Sequence, residues 1–250
     1  MEPEAFCFHR SFEPADPSEF RMDRHYFLYA LEGTLRLEAL GRRWTLPPAR
    51  GALIAANEPV TLTILSRLTS ASVLFSPEFT ALPAQPLSIF DMSPLARELV
   101  RECRGWGADN APLTPYARQV FATLAEVVWR LAQTPSPCYL PVPSSAGLAR
   151  ALALTEEQAD GLPKFTDIAR ASGQSPRALA RRFADELGMT WREALRRIRI
   201  IRAVEALAAS EASVTEIAMA VGYQSLSAFN AAFRDLVGTS PTDYRDSFRT

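Results

Sequence analysis

Eight arginines crowd the stretch from Arg177 to Arg202, opposed by Asp185, Glu186 and Glu193. Guanidinium groups at that density have two common uses. They neutralise the phosphates of a nucleic acid and release its condensed counterions, or they keep a helix face in water. Local charge alone favours the second use. The distribution along the chain speaks for the first. Residues 1–160 hold 14 Arg against 18 Asp and Glu, a net of −4, whereas residues 161–250 hold 13 Lys and Arg against 10 Asp and Glu, a net of +3. Other chemistries find few groups to work with. His9 and His25 are the only histidines and form no His-x-His pair, so no metal ligands are assigned and a metal-dependent enzyme is not expected. There is no Gly-rich phosphate loop and no nucleophile elbow. Neither catalytic residues nor a cofactor are therefore expected. Cys7, Cys103 and Cys138 form no CxxC pair and read as reduced thiols, with no cation-rich niche to favour an oxidation sensor.

The arginines need elements to carry them, and an internal repeat supplies these. Ile168, Ala169 and Gly173 recur 49 residues later as Ile217, Ala218 and Gly222. Ser175, Leu179, Phe183 and Gly188 recur 50 residues later as Ser225, Phe229, Phe233 and Gly238. The offset grows by one because the second turn, Gly222 to Ser225, holds one more residue than Gly173 to Ser175. Each position has a reason in a helix-turn-helix. The alanines sit where the second helix crosses closest, and Gly173 and Gly222 end the first helices. Ser175 and Ser225 cap the second helices, with Pro176 in the first turn of one. Leu179/Phe183 and Phe229/Phe233 share a face at i, i+4. Thr190 with Glu193, and Ser213 with Glu216, have capping-box spacing. A long helix, about 190–209, lies between the repeats. It would set two readers in successive major grooves if it held them roughly 34 Å apart.

The rest of the chain reads differently. At 250 residues, two domains are expected, and 48% hydrophobic with 22% charged residues suits globular cores. Residues 5–76 alternate as short strands, with Leu35 and Leu37 against Arg36 and Glu38, a half-buried pattern. Many short strands separated by Gly33, Pro47-Pro48 and Pro59 predict a small barrel or jelly roll. Ser93-Pro94 and Thr114-Pro115 start two helices, and the second carries an apolar stripe from Val120 to Leu131. That stripe packs on the barrel or joins a homodimer. Residues 134–147, with four prolines, predict a linker. The start lacks a signal peptide pattern and no apolar run is long enough to span a membrane, so a cytoplasmic location is expected.

The segments FTDIARASGQSPRALARRFADELGMT (165–190) and IAMAVGYQSLSAFNAAFRDLVGTSPTDYR (217–245) resemble the AraC/XylS family of transcription regulators. The resemblance covers about residues 148–249. It implies an α+β two-domain chain: a cupin-like effector-binding or dimerising domain at 1–133, with helices at about 93–133, and a DNA-binding domain at 148–250. The helix-turn-helix units would fall at about 165–188 and 214–238. Double-stranded DNA is the implied partner, with a small-molecule effector, and with RNA polymerase if the regulator is an activator. Matched by motif, the first recognition helix presents Arg177 and Arg181 to base edges, where Arg pairs bidentately with guanine. Ser175 lies at its start and Arg182 beside the phosphates. The second exposes Ser227, Asn230, Ala231 and Arg234, with Asn230 suited to adenine and Arg234 to phosphate. The short Ala231 suggests that this unit positions more than it specifies. Arg192, Arg196 and Arg199 on the connecting helix are backbone candidates. In the front domain His25, Phe27 and Tyr29 alternate along one strand and, with Trp44, are candidate effector contacts or plain core. Two other readings stay open. One is a metal-free cupin-like enzyme with a DNA module; the other is a DNA- or partner-binding protein without an effector.

Overall fold

The computed structural model describes residues 3–249; the domain bounds expected at residues 1 and 250 lie outside the described residues. It divides into two compact units, Met1–Ala39 with Trp44–Ser136 and Asp246–Thr250, and Leu40–Arg43 with Pro137–Arg245.

Among the described residues the first unit holds eight whole strands, most of a ninth and two whole helices. Strands β1 (Ala5–Phe12), β8 (Leu68–Phe75), β3 (His25–Glu32), β6 (Arg50–Ile54) and β9 (Leu87–Asp91) form one sheet in that order. All its pairings are antiparallel. A second sheet runs β5 (Arg42–Leu46), β4 (Leu35–Ala39), β7 (Val60–Ile64), β2 (Ala15–Phe20). The strand-rich reading of the front holds, but the strands form two open sheets in a sandwich-like arrangement rather than a closed barrel. Strand β3 is buried along both faces. Its odd residues Phe27 and Tyr29 join a core with helices α1 (Pro94–Cys103) and α2 (Pro115–Leu131). Val120, Phe121, Leu124 and Val128 of the α2 stripe fill that core. Strand β4 buries Leu35 and Leu37 and leaves Arg36 and Glu38 half-buried, the signature of a sheet with one wet face. Ser93 and Thr114 cap the two helices through Ala96 and Ala117 as their positions predicted. Between β3 and β4 only glycine fits: Gly33 has φ +80°, and a Cβ there would meet the Arg67 carbonyl oxygen at 2.1 Å.

The second unit is helical: α3 (Ala146–Glu157), α4 (Phe165–Ala171), α5 (Pro176–Leu187), α6 (Trp191–Ala209), α7 (Val214–Ala220), α8 (Leu226–Val237) and the first part, up to Arg245, of α9 (Pro241–Arg249). The proline-rich segment before α3 is not a bare tether. Cys138 is fully buried and Leu140 nearly so in the core that holds Ile168, Phe183 and Ile198. Leu140–Pro141 (β10) pairs with Arg42 and Arg43 inside the same unit. Those contacts give the segment buried apolar area that its composition did not advertise.

Candidate nucleic-acid interface

Two helix-turn-helix units are built as the repeat required. In the first, α4 and α5 meet at Ala169, Leu179 and Phe183, all with no exposed surface. The Ser175 hydroxyl accepts from the Ala178 N–H at 3.2 Å, and Gly188 ends α5 in the left-handed region at φ +64°. In the second, α7 and α8 bury Ala218, Phe229 and Phe233 completely. A ring chain Tyr223, Phe229, Phe233, Tyr244 runs through it, with centroids 5.4, 5.7 and 5.7 Å apart. Both expected capping boxes are present, Thr190 with Glu193 on α6 and Ser213 with Glu216 on α7. Hydrogen bonds from those cap residues hold both glutamates below the usual carboxylate pKa.

Equivalent positions then carry different chemistry. On α5 the outward row is Arg177 and Arg181, both exposed. On α8 the same row is Ser227 and Ala231, followed by exposed Arg234. Asn230 is half-buried, and its Oδ1 is enclosed without a hydrogen-bond partner among the described residues. It stands between Ser227 and Arg234 on the helix surface, less exposed than either.

Many of the arginines that charge counting pooled together are engaged. Arg182 donates to the Ser145 hydroxyl at 2.9 Å and lies 4.0 Å from Glu186. The Glu186 carboxylate accepts from both backbone N–H groups and both hydroxyls of Ser144 and Ser145, at 2.6 to 3.0 Å. These bonds, led by that from the Ser145 hydroxyl, keep its pKa below the ordinary range. Arg196 pairs with Asp235 of α8 at 2.6 Å. Arg197 donates to the carbonyls of Pro137 and Tyr139 at 2.8 and 3.1 Å. Arg199 donates to Ala159 and Gly161 at 2.8 and 2.7 Å and lies over the Tyr223 ring. Arg202 donates to the Glu156 carbonyl. Arg199 was a backbone candidate; here it is a bolt between α6 and the turn after α3. Gly222 belongs to the same joint, because a Cβ there would meet the Ala159 carbonyl oxygen at 2.7 Å. The long helix is thus fastened to the turn after α3 by hydrogen bonds, and to the turn of the second helix-turn-helix by the contact of Arg199 with the Tyr223 ring.

The front-unit candidates lie in the core. Phe27 and Tyr29 stack at 6.3 Å, and Trp44 is almost wholly buried on β5. The Nδ1 of His25 accepts from the Ala56 N–H at 3.0 Å, and the ring meets Trp129 edge-on at 5.9 Å. Burial pulls its pKa below the usual imidazole value. Sequence reading passed over Arg50, fully buried on β6 with its Nε 3.2 Å from Asp91. Among the described residues no group of three or more His, Cys, Asp or Glu side chains could hold a metal ion, and no helix is long and apolar enough to cross a membrane.

A helix-turn-helix domain family matches residues 168–247. The HTH-type transcriptional regulator NimR of Escherichia coli (strain K12) is 23% identical over 245 residues, 96% of this chain and 86% of its own. The transcription factor PqrA of Proteus vulgaris is 32% identical over 84 residues, 34% of this chain and 69% of its own. An AraC-like transcription regulator of Streptomyces lividans is 39% identical over 105 residues, 40% of this chain and 34% of its own.

Proposed function

Because the chain belongs to the AraC-type family of DNA-binding helix-turn-helix transcription regulators, we propose that it selects its sites mainly through the first unit, with Arg177 and Arg181 on base edges. The observation that carries this reading is their placement. Both stand exposed on the outward row of a capped helix, and neither has a polar partner among the described residues. A guanidinium so placed can pair bidentately with guanine. Ser175, Ser227 and Arg234 complete the contact set as backbone groups, with Asn230 beside them. Arg182 and Arg196 would have to exchange Ser145 and Asp235 for phosphate, so they rank below the free arginines.

The protein acts, on this proposal, as a cytoplasmic regulator and not as an enzyme. A small-molecule effector in the front unit and a homodimer belong to the same proposal, as does RNA polymerase contact if the protein activates. His25, Phe27, Tyr29 and Trp44 would reach an effector only if the packing over them opened, since all four are buried. Bound genomic fragments provide the test. Arg181→Ala should remove about 1–3 kcal/mol of discrimination between a bound fragment and its scrambled counterpart. Equal weakening on both would remove Arg181 from the reading surface.

A further inference from the structure

Of the eight arginines between Arg177 and Arg202, Arg182, Arg196, Arg197, Arg199 and Arg202 already hold partners inside the helical unit. Besides the two on α5, Arg192 in the first turn of α6 is exposed and has no hydrogen bond or ion pair among the described residues. Its position is unusual. An open groove of about 630 Å³ lies beside α5 and the start of α6, lined by Lys164, Thr166, Ala180, Ala184, Trp191 and Arg192. A second, of about 670 Å³, lies between α6 and α8, lined by Arg192, Arg196, Ala228, Ala231 and Asp235 among others. Arg192 lines both. Helix α5 therefore turns two alanines, and α8 three, toward a groove that reaches this one guanidinium, and short side chains there leave room for something bulky against α6.

The charge on these walls says what that is. Lys164 and Arg192 line the first groove, and neither has a carboxylate partner among the described residues. In the second groove, Asp235 offsets Arg196, and the guanidinium of Arg199 is occupied by two carbonyls. Among the described residues Arg192 is then the one cation of that groove left for an anion. We propose that one strand of a DNA duplex passes over the first turn of α6 between the two readers, with Arg192 clamping a phosphate at the crossing and Lys164 holding a phosphate beside α5. The inference rests on the DNA-reading proposal above and adds to it two contacts and the path of the strand. Phosphate contacts of this kind fix register and orientation without reading sequence.

The test uses the whole chain and a labelled duplex of random sequence, titrated across a series of salt concentrations. The logarithm of affinity falls linearly with that of salt, by about 0.9 for each phosphate neutralised. Arg192→Gln should lower that slope by about 0.9, Lys164→Gln by the same, and the double variant by about twice as much. Arg192→Lys, which keeps the charge, should restore most of the slope. Arg196→Gln should leave it unchanged. An unchanged slope in Arg192→Gln, or an equal fall in Arg196→Gln, would overturn the assignment while leaving DNA reading intact. A wild-type chain that bound no duplex at all would overturn both. Both altered side chains are exposed, and a thermal melt of each variant checks that the fold is kept.

Discussion

The two helix-turn-helix units share a frame and differ in almost everything mounted on it. Their buried positions match one for one: Ile168 with Ile217, Ala169 with Ala218, Leu179 with Phe229, Phe183 with Phe233. Their outward rows do not. Arg177 and Arg181 on α5 face the equivalents Ser227 and Ala231 on α8. Their fastenings differ too. In the first unit, Glu186 of α5 gathers the start of α3 through Ser144 and Ser145. In the second, Asp235 of α8 takes Arg196 of α6. Packing constrains the inside of such a unit tightly, since interiors are close-packed and tolerate little change of volume. The outside is left to function. On the DNA-reading proposal, one unit specifies sequence and the other holds the protein in place on it.

If the frames are equivalent, equivalent damage should cost the same. Phe183→Ala and Phe233→Ala each empty a fully buried site, and each should lower stability by about 3–5 kcal/mol. Denaturant unfolding of the two variants, with the wild type beside them, checks this. A loss in one several times that in the other would mean that the units are supported differently and that the repeat is only skin deep.

A smaller effect sharpens the comparison at the helix starts. Ser213 caps α7 with a reciprocal bond from Glu216, whereas Lys164 stands at the start of α4 with no side-chain cap at all. Ser213→Ala should cost about 1 kcal/mol, and Lys164→Ser should gain a comparable amount. The gain would come with the loss of a cation from the groove beside α5. A stabilised Lys164→Ser protein with a reduced salt slope would show that the first unit gives up a cap in exchange for a phosphate contact. No change in stability would mean that the start of α4 is already satisfied by other means.

How much of this was legible in the sequence follows from what each feature depends on. The repeat was legible because Ala169, Gly173, Phe183 and their partners are required by type at fixed spacing. Both capping boxes were legible for the same reason. The engagement of Arg197, Arg199 and Arg202 was not. Their acceptors are backbone carbonyls at Pro137, Ala159 and Glu156, and every residue has a carbonyl. Charge counting pooled eight cations and could not single out the five that folding engages. Residues 134–147 read as a tether because prolines mark breaks in regular structure, yet Cys138 and Leu140 are buried. In the front unit the alternation of β4 gave the strand and its wet face. It could not say whether the strands close into a barrel, because closure depends on pairings between strands distant in sequence. Strand β9 escaped notice as a short apolar run following a loop.

The smallest effect concerns the two fastenings. Glu186 gathers four hydrogen bonds, and its pKa is lowered in the folded chain. A carboxylate with a depressed folded value stabilises fully above its unfolded value, near 4.3 for a glutamate, and that stabilisation disappears as pH falls through the folded value. The melting-temperature gap between the wild type and Glu186→Gln should therefore be complete at neutral pH and close on acidification below the ordinary carboxylate range. It should be smaller than the gap made by Phe183→Ala, because the carboxylate lies near the surface, where solvent screens such bonds. Asp235→Asn offers the matching probe for the second unit. Its fastening is a single ion pair between exposed side chains rather than a four-bond cradle, so added salt should shrink the Asp235→Asn gap more than the Glu186→Gln gap. Equal salt sensitivity would mean that both fastenings are held by the same long-range charge, and that the cradle around Glu186 adds nothing of its own.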